Sequence, residues 1–167
     1  MYALSTSCKH IIGIDADFDA VQVANTELRK HGAVNVNSLQ VPLSKASFLS
    51  LGVSQPFDLV YSMDVLEHLP DPSELPRVAS QLVASTGIII IGTPLFIRPD
   101  LVSQYHVKEY SESELREILS PYLEIREEKI TPLRRLDGEM HDRGFYIAVC
   151  SPKAGAAVAP QLPAGQD

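Results

Sequence analysis

The stretch "HIIGIDADFD", residues 10–19, runs an apolar segment directly into carboxylates. An acid at the tip of a buried strand is placed to accept hydrogen bonds from a ligand beyond the strand ends, and its paired oxygens suit two vicinal hydroxyls such as those of a ribose. Asp15 is the candidate for that task. The same residue could instead cap the helix that follows, and spacing does not choose between the two. Asp17 and Asp19 read as capping or solvated acids. His68 and His106 are candidate bases, because imidazole as a residue type titrates near neutral pH. Each has a plainer reading beside it: His68 bonds locally next to Glu67, and His106 sits on a loop. Asp64 and His68 stand four apart and could clasp a metal on a helical turn, but two ligands without a third argue against a metal site. His141, Asp142 and Arg143 read as a solvated hairpin connection. Cys8 and Cys150 are isolated, with no CxxC pair, which suits a reduced, cytosolic protein rather than a disulfide scaffold.

The elements that must position these side chains follow from periodicity. Ile11, Ile12 and Ile14 around Gly13 form a continuous apolar strand, of the kind buried on both faces in parallel sheets, and Asp15 ends it. A helix comes next, with Val21, Ala24 and Leu28 at helical spacing and Lys30 to Gly32 as a basic last turn and glycine stop. "VNVNSLQV", residues 34–41, alternates as a strand. Residues Phe57 to Ser62 form a third strand that passes into a short helix or turn closed by Pro70 and Pro72. Residues from Ser73 to about Ala84 carry a helical apolar face, with Pro76 tolerable only in the first turn. "STGIIIIGTP" is the most emphatic strand and suits the centre of a sheet. In "SESELREILSPY", Ser111 and Glu114 form a capping box ahead of another helix. Two strands, Leu123 to Ile130 and Gly144 to Ser151, end the fold.

This order predicts one α/β domain over residues 1–151, a doubly wound sheet that finishes with an antiparallel addition. Residues 152–167, poor in large apolar groups, read as a disordered tail. The chain has 167 residues, 45% hydrophobic and 21% charged, the size and balance of a single globular domain. Its net charge is −7 and no lysine or arginine stripe tracks phosphates, so nucleic acid is not an expected partner. No apolar run approaches the roughly 20 residues that span a bilayer, and the N-terminus lacks a signal-peptide pattern, so no membrane partner is expected.

"IIGIDADFDAVQVAN", "FDLVYSMDVLEHLPDP", "GIIIIGTP" and "YSESELREIL", in that order, resemble class I S-adenosylmethionine-dependent methyltransferases from the second strand onward, in their small-molecule branch. The resemblance covers roughly residues 9–151. It implies a Rossmann-like, mostly parallel sheet with an antiparallel C-terminal strand, S-adenosylmethionine as cofactor and a small-molecule methyl acceptor. By the same resemblance Asp15 would hold the cofactor ribose, and Ala16 and Asp17 would lie beside the adenosine. Ser62 and Met63 would line the pocket near the adenosine and the methionine part. Glu67 and His68 would flank the cleft, with His68 nearer the substrate, and the segment from Leu95 to Tyr110, including His106, would form part of a lid. Phe96, Tyr105 and Tyr110 could stack on a substrate there or pack against the core.

Two departures stand out. The family's first strand and glycine-rich loop would precede Cys8, where only "MYALSTSCKH" stands, and the acid expected after the third strand is replaced by Gln40 and Ser44. A missing first strand leaves two buried strand edges unpaired, at about 1–3 kcal/mol for each unsatisfied group. Either the two flanking strands pair directly, or another chain supplies a strand, or the sequence is an N-terminally truncated form of a longer enzyme. Truncation is the expectation, with weak or absent S-adenosylmethionine binding by the chain as it stands. The implied chemistry is in-line attack on a sulfonium methyl, for which the protein supplies alignment and a base and no metal is demanded. Two other classes stay open: an NAD-type dinucleotide-binding oxidoreductase, which would also place an acid at Asp15, and a non-catalytic methyltransferase-like assembly domain. A homo-oligomer is left open as well.

Overall fold

A computed structural model describes residues 5–96, 99, 102–134 and 140–155. The contacts divide the chain into two compact units, Met1–Ser54 and Gln55–Asp167, where the sequence reads as one domain over residues 1–151. Of the expected tail, residues 152–167, the first four are described: Pro152 ends the last strand and Lys153 N donates to Tyr122 O at 3.0 Å, and the rest lies outside the described residues.

In the first unit β1 (Ile11–Asp15) pairs in parallel with β2 (Val36–Gln40), and α1 (Phe18–Lys30) crosses between them. Leu28, Ala33 and Val36 form the buried cluster, with Ile11 packed against it. Asn25 fastens the helix to the sheet by two bonds to one residue. Its Nδ2 donates to Ser38 O at 2.9 Å, and its Oδ1 accepts from Ser38 N at 3.0 Å. The helix ends at Gly32, whose φ of +68° is in the left-handed region that the lack of a β-carbon permits.

The second unit holds a four-stranded sheet in the order β3–β4–β6–β5, built from β3 (Phe57–Met63), β4 (Val83–Pro94), β5 (Leu123–Arg134) and β6 (Met140–Pro152). β3 and β4 run parallel, and β6 lies antiparallel to both β4 and β5. The last strand therefore sits inside the sheet and the one before it forms the edge. Side-chain character explains that order. β6 carries the buried Tyr146, Ala148 and Cys150, while β5 carries Arg126, Glu127 and Glu128, charges suited to a solvated edge. Helix α2 (Glu74–Leu82) packs against β3 and β4, and α3 (Glu112–Leu119) against β5.

β4 is central, as its isoleucines suggest, but only one of its faces is sealed. Ile89, Ile91 and Thr93 are fully buried, in register with Cys150, Ala148 and Tyr146. On the other face Leu59 and Tyr61 of β3 and Ile88 of β4 remain exposed. The expectation of a strand buried on both faces was made for β1, and there Ile11–Ile14 are only half-buried and Asp15 is exposed. β1 has β2 as its ladder partner and β3 has β4, among the described residues. The C-terminal hairpin also extends further than its apolar pattern suggested. His141, Asp142 and Arg143, read as a hairpin connection, fall within the span of β6, where the ladder is irregular: Pro132 pairs with Gly144 and Arg134 with Met140. No helix among the described residues is long and apolar enough to cross a membrane.

Candidate functional site

The first group of predicted residues lies in the Met1–Ser54 unit, at the carboxyl end of β1. Asp15 is exposed, and its Oδ1 accepts from Asp17 N at 2.9 Å. Asp17 in turn accepts from Ala20 N at 3.0 Å and caps α1. The capping role thus belongs to Asp17, and the second oxygen of Asp15 has no hydrogen-bond partner among the described residues. Ala16 O accepts from Gln40 Nε2 at 3.3 Å, so Gln40 ties the end of β2 to the turn after β1. Asp19 lies exposed in the first turn of α1, and Ser44 is exposed in the 3-10 turn Leu43–Lys45.

The second group lies in the Gln55–Asp167 unit, after β3. Ser62 pairs with Ile91 and Met63 with Gly92. The Met63 thioether lies directly over Gly92: a β-carbon there would stand 2.6 Å from Met63 Cε and 2.7 Å from Phe145 Cε1, so only glycine allows the approach. Asp64 follows with φ 54°, a left-handed conformation uncommon outside glycine, and its N–H donates to Gly92 O at 3.0 Å. That bend turns the chain out of β3 and into the 3-10 turn Leu66–His68.

Glu67, in this turn, is completely buried. Its Oε2 accepts from the Thr93 hydroxyl at 2.9 Å, whereas Oε1 has no hydrogen-bond partner among the described residues and lies 3.9 Å from His68 Nε2. The backbone carbonyl of Glu67 accepts from Val107 N at 2.9 Å and Lys108 N at 3.2 Å, which fastens the segment predicted as a lid to the turn. These bonds bring His106 beside His68, with ring centroids 4.9 Å apart in an edge-to-face arrangement. His68 Nδ1 lies 3.0 Å from Tyr105 O, and His106 Nδ1 lies 2.8 Å from Glu109 Oε1. The two histidines singled out from sequence therefore meet.

Glu109, Thr93 and the interior placement of Glu67 were not singled out by sequence reasoning. The spacing of His106 and Glu109, three apart, was the available signal for one of them. Asp64 lies outside the cluster of potential ligands, in which Glu67 joins His68 and His106 instead. Of the lid aromatics, Tyr110 is buried and its carbonyl accepts from Phe96 N at 2.9 Å, while Phe96 and Tyr105 are exposed.

The adjoining helix is electrostatically fastened. Ser111 and Glu114 complete the capping box of α3. Hydrogen bonds from Lys108 Nζ at 2.6 Å and from Ser111 hold the Glu114 carboxyl down at about 2. Arg116 reaches Glu128 on β5 through Nε at 3.0 Å and Nη2 at 3.0 Å, and this bond lowers the Glu128 carboxyl below its ordinary range. Tyr146 donates its phenol to the same carboxylate. Burial first, and that hydrogen bond second, push the phenol upward.

An acid at the tip of the leading strand of a strand–helix–strand unit, and a bend plus polar cluster after β3, describe a Rossmann-like α/β protein. Solved structures share that fold. The [4+2]-cyclase SpnF superposes with a TM-score of 0.74 at 15% identity, covering 92% of this chain and 71% of that one. The N-methyltransferase NodS from Bradyrhizobium japonicum, in complex with S-adenosyl-L-homocysteine, gives 0.67 at 17% identity, covering 91% of this chain and 71% of that one. The family profile described as "Methyltransferase domain" matches residues 1–138, and the chain belongs to that family. Among curated relatives, the ubiquinone biosynthesis O-methyltransferase of Escherichia fergusonii is 31% identical over 83 residues, half of this chain and 33% of that protein. The corresponding enzyme of Pasteurella multocida is 29% identical over 89 residues, 50% of this chain and 36% of that protein. The match thus spans about a third of the length of these relatives.

Proposed function

We propose that the protein serves S-adenosylmethionine-dependent methyl transfer to a small-molecule acceptor in the cytoplasm. The observation that carries this reading is the match of the methyltransferase-domain family over residues 1–138. Fold alone would not suffice, since a cyclase shares it. The donor supplies an electrophilic methyl on a positively charged sulfur. The residues at the end of β1 fit such a group: Asp15 is exposed and presents an oxygen with no partner among the described residues, an acceptor for ribose hydroxyls. Ala16 and Asp17 flank the adenosine in this reading, and Ser62 and Met63 contact the donor from β3. His68 and His106 orient the acceptor and accept its proton. For a neutral ring, Nδ1 facing a carbonyl or carboxylate oxygen must carry the hydrogen, which leaves Nε2 as the basic nitrogen in both. The acidic balance of the chain favours a small molecule over nucleic acid as substrate.

Calorimetry with S-adenosylhomocysteine on the intact protein tests the reading. Weak but saturable heat is expected, lowered a further tenfold or more by Asp15→Ala. Heat with NAD but none with S-adenosylhomocysteine, or none with either, would overturn it.

A further inference from the structure

We infer that Glu67, His68 and His106 form a binding site for one divalent cation of the zinc class. A ligand atom from each lies within 4.8 Å of the others. The set of two imidazoles and one carboxylate suits a borderline cation, and a hard, octahedral ion such as magnesium would call for more oxygens. Two further features of the cluster point the same way.

The first is Glu67 itself. A carboxylate in a fully buried residue has one oxygen held by Thr93, and the other, Oε1, without a hydrogen bond among the described residues. That oxygen is directed at the His68 ring, 3.9 Å from Nε2. Buried polar atoms are rarely left in this state, and a bound ion is a standard resolution. The second is the orientation of the rings. Imidazoles that bind metal donate the opposite ring N–H to a carbonyl or carboxylate, which sets the tautomer. His68 does so to Tyr105 O and His106 to Glu109 Oε1, so both present Nε2 lone pairs. Glu109 is itself 1% exposed at its side chain, a buried carboxylate whose effect reaches the site through His106.

Donor atoms around a tetrahedral ion stand roughly 3.4 Å apart when bonds are about 2.1 Å, so the 3.9 Å pair needs a small closure and no pair, all being within 4.8 Å, needs more than about 1.4 Å. His68, with 43% of its side chain exposed, has room to move, whereas Glu67 and His106 are held. Three protein ligands leave a fourth position, on the side where His68 meets solvent, for water or an acceptor hydroxyl. In the metal-bound state the two rings are ligands and no longer bases. The inference does not rest on the methyl-transfer reading, because cation uptake is read without a donor.

Titration of the metal-free full chain with Co2+, followed by visible absorption, tests the site. One equivalent is expected, with the ligand-field bands of a four-coordinate N/O site, displaced by Zn2+ and not by Mg2+. Glu109→Gln, which keeps an acceptor oxygen for Ser103 N and removes the charge facing the second nitrogen of His106, should weaken uptake by about 10–100-fold with the fold intact by circular dichroism. His68→Asn replaces a half-exposed side chain, leaves the core closed and should abolish the bands. Absence of stoichiometric Co2+ or Zn2+ uptake, or undiminished uptake by His68→Asn, would overturn the assignment. Calorimetry with S-adenosylhomocysteine on the same samples reports separately on the methyl-transfer reading.

Discussion

Glu67 Oε2 accepts the Thr93 hydroxyl at 2.9 Å across the turn from β3 to β4, and this is the hydrogen bond that the buried carboxylate keeps. Thr93→Val removes it and leaves both oxygens without a hydrogen-bond donor among the described residues. A loss of about 1–3 kcal/mol is expected, the cost of an unsatisfied buried group. Thr93→Ser retains the hydroxyl and should lose much less. Urea unfolding of the two variants makes the comparison, and equal losses would mean that the threonine methyl, not the bond, matters.

Glu114 governs an acid-range stability change. Its folded carboxyl is depressed to about 2 from an ordinary 4.5, chiefly by the Lys108 hydrogen bond and then by Ser111. A depressed carboxyl contributes stability that is present above its unfolded value and is lost as pH falls through its folded one. The difference in urea midpoint between the wild type and Glu114→Gln should therefore be constant above about pH 5 and shrink between roughly pH 4.5 and 2. Because the group is well exposed, added salt should reduce the difference.

Gly92 is a packing requirement and not a hinge. A methyl placed there meets Met63 Cε and Phe145 Cε1 at 2.6 and 2.7 Å, so both large side chains must shift. Gly92→Ala should cost about 1–3 kcal/mol by overpacking. The double change Gly92→Ala with Met63→Ala should recover part of that loss in thermal unfolding, since the thioether is the nearer obstacle.

The two thiols should react at very different rates. Cys150 is buried on β6, and burial raises its thiol to about 12, so little thiolate forms near neutral pH. Cys8 is partly exposed. Ellman's reagent should modify Cys8 alone in the native protein and both thiols in urea. Equal native rates would contradict the register that pairs Cys150 with Ile89.

Much of this protein was legible in its residues one segment at a time. The Ser111–Glu114 box, the glycine that stops α1 and the isoleucines of β4 each act within a few positions of the chain, and their elements form where expected. Asp15 at a strand end and the two histidines were equally visible as types at positions. Three things were not. The extent of the C-terminal hairpin depends on backbone pairing between strands, which resumes at Arg134 and Met140 beyond an irregularity after Pro132 and Gly144. The exposure of Leu59, Tyr61 and Ile88 depends on what covers one face of a sheet, and apolar composition does not report it. The grouping of Glu67, His68, His106 and Glu109 arises because Val107 and Lys108 bond back to the carbonyl of Glu67, some forty residues away in sequence. Sequence thus determined the local elements and the family, because capping, periodicity and strand composition are short-range. Only tertiary structure decided which polar groups share a dry interior, because that is settled by long-range backbone pairing.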